Sequence, residues 1–491
     1  MTVREQLADI RRLAGPHGTV GLSDAVLDPF LASDKDLGIA IARAHAEVLA
    51  MSAQRSAGLS EDSLCAQLQA DYLNFYGDAA RSPYVPAGAC GPWIVSQHGA
   101  VLHDSGGYGM LGLGHAPESV LAALARPWVM ANVMTPSHSQ ARFSALLKAE
   151  IGHTGPGCPY SRFICLNSGS ESVTMSARIT DLHAFRQTQS GAPHAGHIIR
   201  YLSLAGGFHG RTDPAARISG STLGTYKRTL ASFRDRDQLT LVEPNNLAQL
   251  EEVFARAAAD GVFYEGFFIE PVMGEGEPGL ALTPEFYGLA RRLTREHGAL
   301  LMCDSIQAGF RATGHLSIVD YPGFARHEAP DLETFSKALN AGQYPLSVLA
   351  LNARAAELYV TGVYGNTMTT CPRGLEVGCA VLESMTDELR SNIVARGTQL
   401  KQGLEQLASE FGSAVKGVLG TGLMVNIELD PARLPVNGAG GVEEDLRRHG
   451  IHMIHGGHNG LRFTPHFAIT SEQITLIVQG VREILRKRLA G

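Results

Sequence analysis

The sequence predicts an α/β protein built on a mainly parallel, doubly wound sheet, and three observations carry that expectation. Short apolar runs recur, Phe163–Leu166, Ile198–Leu204, Phe267–Ile269 and Ala299–Asp304, and runs of that length read as strands buried on both faces. Between them lie amphipathic stretches of helical period, Leu247–Ala259 and Pro284–His297, which is the alternation of βαβ units. Polar or glycine-rich turns then follow the carboxyl ends of the strands, where open α/β sheets hold their ligands.

In chain order, Met1 to Tyr76 is patterned as helix, with Leu7, Ile10 and Leu13 on one stripe and Leu37, Ile41, Ala44 and Val48 on another. This stretch carries no chemistry and reads as a packing extension. A connector rich in Pro and Gly, Pro83–Pro92, leads into a strand at Val101–Asp104 and then Ser105-Gly106-Gly107-Tyr108-Gly109. Gly107, Gly109 and Gly112 satisfy G-x-G-x-x-G, as do Gly274, Gly276 and Gly279. In a chain with 55 glycines such coincidences are expected, and Pro278 opposes a helix on the second, so no dinucleotide site is read here.

Asn167-Ser168-Gly169-Ser170-Glu171 opens a long helix whose small residues, Val173, Ala177, Thr180 and Ala184, form one stripe. Its first N–H groups suit a phosphate, while Ser168-x-x-Glu171 is also a capping box that needs no ligand. Phe208, on the glycine-flanked turn Gly206–Arg211, is a ring that stacks on a flat cofactor or packs in the core. The strand Phe267–Ile269 ends in Glu270, with Glu275 in a glycine-rich turn behind it. Asp304 ends the next strand, and Lys337 follows another short one, so a carboxylate and an amine share one sheet edge. That pair suits an aldehyde cofactor held as a Schiff base, the carboxylate keeping a pyridinium protonated, and pyridoxal 5'-phosphate is the candidate. The alternative is a buried Asp at a strand end and a solvated Lys. After the polar turn Gly365–Pro372 the chain is helix-rich to about Glu410, and Gly420–Ile427 reads as a strand of a smaller lobe, with the boundary placed near Cys371–Gly378.

A chain of 491 residues with 44% hydrophobic and 18% charged residues has room for a large core and at least two lobes. A formal net charge of -7 gives no pull toward nucleic acid or anionic lipid, so the expected partners are small molecules. Seven scattered cysteines without a Cys-x-x-Cys argue against a disulfide framework and a structural zinc. His449, His452, His455 and His458 recur every third residue, but Gly450, Gly456 and Gly457 break any helix that would align them, and no metal is expected. The first residues show no apolar signal core and no run reaches membrane-spanning length, so a cytoplasmic protein is expected.

The stretches Leu166–Glu171, Phe208–Arg211, Ile269–Glu275, Asp304–Gln307, Ser336-Lys337, Gly365–Thr367 and Leu461–Pro465 come in one order and spacing. In this the chain, from about Pro92 to Ile469, resembles the class III aminotransferases, pyridoxal-phosphate enzymes of fold type I. The resemblance implies a large domain with a mainly parallel sheet between helices, and a smaller α+β domain from the two chain ends. The corresponding ranges are a helical extension at 1–80, the first part of the small domain at 81–130, the large cofactor domain at 131–372 and the rest of the small domain at 373–491. It implies that Lys337 forms the Schiff base and shuttles a proton, that Asp304 pairs with the ring nitrogen, Gln307 with the ring hydroxyl, and that Phe208 stacks. Gly169 and Ser170 grip the phosphate, with Thr367 reaching across from a second subunit of a homodimer, and Ser168, His209 and Glu270 complete the cofactor-binding set. Arg462 matches an arginine that takes a substrate carboxylate, Glu275 an acid that covers it when an amine binds, and Tyr108 an aromatic against the substrate. Glutamate or alanine, 2-oxoglutarate or pyruvate, and a distal-amine compound are the implied substrates.

The chain departs from the family in three places. Ser305 stands where Glu is usual, the arginine of Gly309–Gly314 comes about one place early, and Thr369-Thr370-Cys371 replaces a Gly-Gly-Asn turn. The same parts support a racemase, epimerase or lyase. A catalytically idle binding module is disfavoured because Lys337, Asp304, Gln307 and Arg462 are all present.

Overall fold

The computed structural model describes residues 1–51, 59–77, 80–234 and 236–490. Parts of the predicted helical extension, residues 52–58 and 78–79, therefore lie outside the described residues, as does Gly491 at the end of the predicted small domain. The chain forms two compact units, Met1–Glu118 with Ala395–Gly491, and Ser119–Val394.

In the first unit, Val3–Leu13 is a helix because Thr2 and Glu5 form a capping box, and it buries Leu7 and Ile10. The helix Lys35–Met51 buries Leu37, Ile41, Ala44 and Val48 against strand β1 (Pro86–Cys90). Gly88 permits that approach, since a Cβ there would collide with the backbone of Ala44. Strands β2 (Trp93–Ser96) and β3 (Val101–Asp104) continue the sheet antiparallel.

The second unit is organised on seven strands: β4 (Arg162–Leu166), β5 (Ile198–Leu204), β6 (Leu239–Val242), β7 (Val262–Ile269), β8 (Leu300–Asp304), β9 (Leu332–Phe335) and β10 (Ser347–Leu351). Their order is β4-β10-β9-β8-β7-β5-β6, and β10 alone among them runs antiparallel to its neighbours. The sheet is buried and mostly apolar on both faces, as expected of parallel strands covered by helices. Phe268, Leu300, Met302, Leu332 and Leu349 form a core with Val173, Ala177 and Ile179 of the helix Gly169–Thr188. Leu247–Ala259 and Pro284–His297 are helices over the expected residues; the second starts on the Thr283 cap with Pro284 in its first turn and stops at Gly298 in the left-handed region.

The remaining strands belong to the first unit. The predicted strand Gly420–Ile427 is instead a hairpin, β11 (Val415–Thr421) and β12 (Met424–Leu429), in which Thr421 pairs with Met424. Gly422 at φ 54 makes the two-residue turn, a conformation that favours glycine and interrupts a continuous strand. β13 (Ile451–His452) pairs parallel with β3, so both chain ends build one sheet of order β1-β2-β3-β13. β14 (Ile454–Gly456) and β15 (Gly460–Phe463) join the hairpin in a second sheet of order β11-β12-β15-β14. No helix among the described residues is long and apolar enough to cross a membrane.

Candidate active site

The site of the second unit starts from the register of two adjacent parallel strands. Asp304, the last residue of β8, lies opposite Thr334 of β9, and Lys337 follows three residues further along that chain. Acid and amine thus leave the sheet at the same edge. Lys337 itself has φ 46, a left-handed conformation rarely adopted by residues with a side chain, at the head of the short helical turn Lys337–Asn340. Backbone outliers of this kind cluster at working sites.

Asp304 is buried and held from three sides. Ile306 N–H (3.1 Å) and the Thr334 hydroxyl (3.2 Å) donate to Oδ1, and the His209 Nδ1 position lies 2.8 Å from Oδ2. Ser203 Oγ lies 3.2 Å from the other ring nitrogen. Burial alone would lower the His209 pKa, yet the hydrogen bond and charge of Asp304, with the charge of Glu270, outweigh it and the net direction is upward. The His209 imidazole thus stands directly behind Asp304 and is hydrogen-bonded to the oxygen that Ile306 and Thr334 leave free.

Glu270, just past β7, does a different job. It accepts from Phe208 N–H (2.9 Å) and Gly274 N–H (3.1 Å), so one carboxylate brackets the turn that carries the Phe208 ring and the turn that carries Glu275. Burial pushes Glu270 up to about 7, and the Asp304 charge adds to the rise. The buried Gln307 lies against the second turn, where a Cβ on Gly274 would collide with its carboxamide. The Phe208 ring is half-buried and has the Arg211 guanidinium carbon 5.5 Å from its centre.

The helix Gly169–Thr188 opens at the same edge. Ser168 is its N-cap: the hydroxyl accepts from Glu171 N–H at 3.3 Å, while the Glu171 carboxylate accepts from Asn167 N–H (2.9 Å) and Ser168 N–H (3.1 Å). The cap serves Glu171, so Gly169 and Ser170 carry first-turn N–H groups that the helix itself cannot satisfy. Gly210, at φ 125, leaves room for the Ser170 side chain, and a Cβ built on Gly169 would stand 2.7 Å from Ile306 Cδ1.

Other predicted residues lie elsewhere. Thr367 is exposed and lines a cavity of about 1030 Å³ with Asn132, Met134, Phe163 and Cys165; Lys337, Asp304, Gly169 and Ser170 are not among that cavity's described lining residues. Tyr108 and Arg462 belong to the first unit. Tyr108 has φ 48 in the turn Gly107–Gly109, sets its ring 5.5 Å from that of His452 and hydrogen-bonds Ser82. Arg462 is buried on β15, opposite Asn426 of β12 and Ile454 of β14. His452 bonds the Tyr84 hydroxyl (2.8 Å), His455 the Glu443 carboxylate (2.9 Å) and His449 the Asp445 carbonyl (2.8 Å). Among the described residues no group of three or more His, Cys, Asp or Glu is placed to hold a metal ion. Thr334, Ser203 and Glu333 join the network without having been singled out in the sequence; only Glu333, an acid inside a four-residue buried strand, left a signal there.

Residues 76–485 match the family model described as aminotransferase class-III. The chain belongs to the class III aminotransferases. It is 27% identical to an acetylornithine aminotransferase of Mesorhizobium japonicum over 414 residues, 83% of this chain and 94% of the relative. It is 25% identical to the ornithine aminotransferase of Bacillus subtilis over 407 residues, 82% and 93% of the two chains. The crystal structure of an ornithine aminotransferase from Toxoplasma gondii ME49 superposes with a TM-score of 0.73 at 22% identity, covering 89% of this chain and 99% of that one. The fold is type I, and the class III aminotransferase is a pyridoxal 5'-phosphate enzyme. The donor set fits that group chemically: a helix start for a phosphate, the buried Asp304 carboxyl group backed by His209 for a ring nitrogen, an aromatic face, and a lysine for the aldehyde.

Proposed function

We propose that this class III aminotransferase moves an amino group between an amino acid or distal amine, of the ornithine or acetylornithine kind, and a keto acid, 2-oxoglutarate or pyruvate. It does so as a cytoplasmic homodimer. The observation that carries the reading is the shared exit of Asp304 and Lys337 from neighbouring strands, with His209 behind the acid.

When bound, the cofactor supplies an electron sink for the charge left on a deprotonated substrate carbon. Lys337 is the amine that would hold the cofactor covalently and, once released by substrate, would take the proton from the substrate carbon and deliver it on the same face to the carbon that was the cofactor's aldehyde. Asp304 offers its carboxyl group to the ring nitrogen, and His209 holds that group in place by its hydrogen bond. Gly169 and Ser170 donate backbone N–H groups to the phosphate, Thr367 of a second copy adds its hydroxyl, Gln307 meets the ring hydroxyl and Phe208 covers the ring. Ser168 serves the same helix start as its cap, while Glu270 holds the Phe208 turn in place. Arg462 presents a guanidinium to a substrate carboxylate, Glu275 a carboxylate to a distal amine, and Tyr108 an aromatic wall. That the relatives named above are acetylornithine and ornithine aminotransferases supports the ornithine-type donor.

The test is a half-reaction. Holoenzyme mixed with ornithine, N-acetylornithine or glutamate is followed by its visible spectrum and by assay of the carbonyl product. Loss of the Schiff-base absorption with a stoichiometric carbonyl product, a keto acid from glutamate or an aldehyde from a distal amine, is expected, and Lys337→Ala abolishes it. If amino acids are consumed or racemised while the spectrum stays unchanged, the amino group is not transferred, and a racemase, epimerase or lyase replaces this reading.

A further inference from the structure

Glu333 sits on β9 with its carboxylate completely buried, and it accepts hydrogen bonds from four donors. These are the hydroxyls of Ser305 (2.6 Å), Ser317 (2.5 Å) and Tyr160 (2.6 Å) and the N–H of Ile318 (2.9 Å). Four donors saturate the acceptor capacity of an ionised carboxylate. Side chains alternate along a strand, so Glu333 faces away from Thr334, and the same alternation separates Ser305 from Asp304. Asp304 is tied to His209 and Thr334 on one face while its neighbour Ser305 is tied to Glu333 on the other.

The partners of Glu333 lie at both ends of one loop, Ser305 at the start and Ser317-Ile318 at the close. Two residues immediately after Ser305 reach the site. Ile306 stands against Gly169 at the phosphate end, and Gln307 against Gly274. The Ile306 N–H also reaches Asp304 itself. Ser305 is thus followed directly by the two residues that stand against Gly169 and Gly274.

We propose that Glu333 is a positioning residue for the cofactor: its carboxylate clamps both ends of the Ser305–Ile318 loop and thereby sets Ile306, Gln307 and the Asp304 hydrogen bond from behind the sheet. Ser305 is its partner in that role. A hydroxyl at 305 and an acid on the next strand do here what a longer side chain at 305 has no room to do, because the buried space behind Ser305 is filled by the Glu333 carboxylate. The inference rests on the reading of Asp304 and Gln307 as cofactor contacts.

The experiment compares Glu333→Gln, Ser305→Ala, Asp304→Asn and Glu265→Gln in the full chain. Glu265 is a second buried carboxylate, bonded by Thr180 at 3.0 Å and remote from the loop in sequence, and it controls for general destabilisation. Each apoprotein is titrated with pyridoxal 5'-phosphate by absorbance, and amide hydrogen exchange is mapped by mass spectrometry. Glu333→Gln is expected to raise the cofactor Kd by about tenfold or more, the cost of a lost hydrogen bond to a charged group, and to speed exchange in residues 306–317 while residues 170–188 stay protected. Ser305→Ala, which leaves the carboxylate in place, is expected to give the same pattern at a smaller amplitude, about threefold, and it carries the test if Glu333→Gln does not fold. Glu265→Gln should leave Kd unchanged. Equal Kd for wild type, Ser305→Ala and Glu333→Gln overturns the proposal, as does a rise matched by Glu265→Gln. If Asp304→Asn also leaves Kd unchanged, the site reading itself fails; if Asp304→Asn weakens binding and Glu333→Gln does not, only the positioning role fails.

Discussion

Single side chains in this protein are governed by what burial does to charge. Glu265 is the clearest case, because burial pushes it up to about 8 and its Thr180 and Tyr201 hydrogen bonds only moderate that rise. A carboxyl raised above its unfolded value favours folding when protonated, so its contribution is complete below about pH 4.5 and is lost as pH climbs through about 8. Apoprotein unfolded in urea is expected to lose about 3 kcal/mol from this group between pH 6 and pH 9. Glu265→Gln, which keeps the shape and never ionises, should flatten that part of the profile, and identical slopes for both proteins would refute the assignment. A second residue-level expectation concerns Arg462. If its guanidinium takes a carboxylate, Arg462→Ala raises KM for glutamate by about tenfold or more while a simple amine donor is little affected, a split that steady-state kinetics reads directly.

At the scale of elements, the start of the helix Gly169–Thr188 shows one local pattern serving two ends. The capping box was legible in Ser168-x-x-Glu171, and it satisfies Glu171 N–H without occupying the N–H groups of Gly169 and Ser170. Ser168→Ala is expected to cost about 1 kcal/mol of stability, measured by chemical unfolding. Gly210→Ala acts on the same helix start from outside, since a Cβ there meets the Ser170 side chain at a backbone angle that disfavours any side chain. It is expected to weaken cofactor binding by about tenfold or more, the size of 1–3 kcal/mol of backbone strain; titration of the apoprotein checks this. Strands were less legible than helices. The hairpin β11–β12 was not legible because Gly417, Gly420 and Gly422 look alike in the sequence and only Gly422, at φ 54, makes the turn, and β10 is an apolar stretch whose antiparallel direction is decided by pairing with β4 and β9 rather than by its own composition.

For the whole molecule the open matter is the second copy. Val129, Val133, Met134 and Met368 are exposed apolar side chains at 62–82%, and Asn132 Nδ2 donates to the Thr367 carbonyl at 3.2 Å, tying the first stretch to the second. Exposed apolar surface of this kind suits association and supports the proposed homodimer with Thr367 acting across it. Mixing Lys337→Ala and Thr367→Ala subunits under conditions of exchange tests this without a structure. Thr367 acting in trans gives hybrid dimers with one intact site, so activity should recover above that of either parent; no recovery in verified hybrids means that each chain uses its own Thr367.

The sequence by itself determined the class of fold and the crossover helices Leu247–Ala259 and Pro284–His297, and it proposed the ordered set Gly169, Phe208, Asp304, Gln307 and Lys337, because strand ends, helix periods and glycine turns are local and leave local marks. It did not reveal that His209 stands behind Asp304, that Glu270 brackets two turns, or that Glu333 closes a loop from the far side of its strand. Three of those ties join residues far apart in the chain, Ser305 and Glu333 by 28 positions, Phe208 and Glu270 by 62, and His209 and Asp304 by 95. Only the packing of parallel strands brings them within hydrogen-bonding distance, and only burial gives their charges the strength to matter.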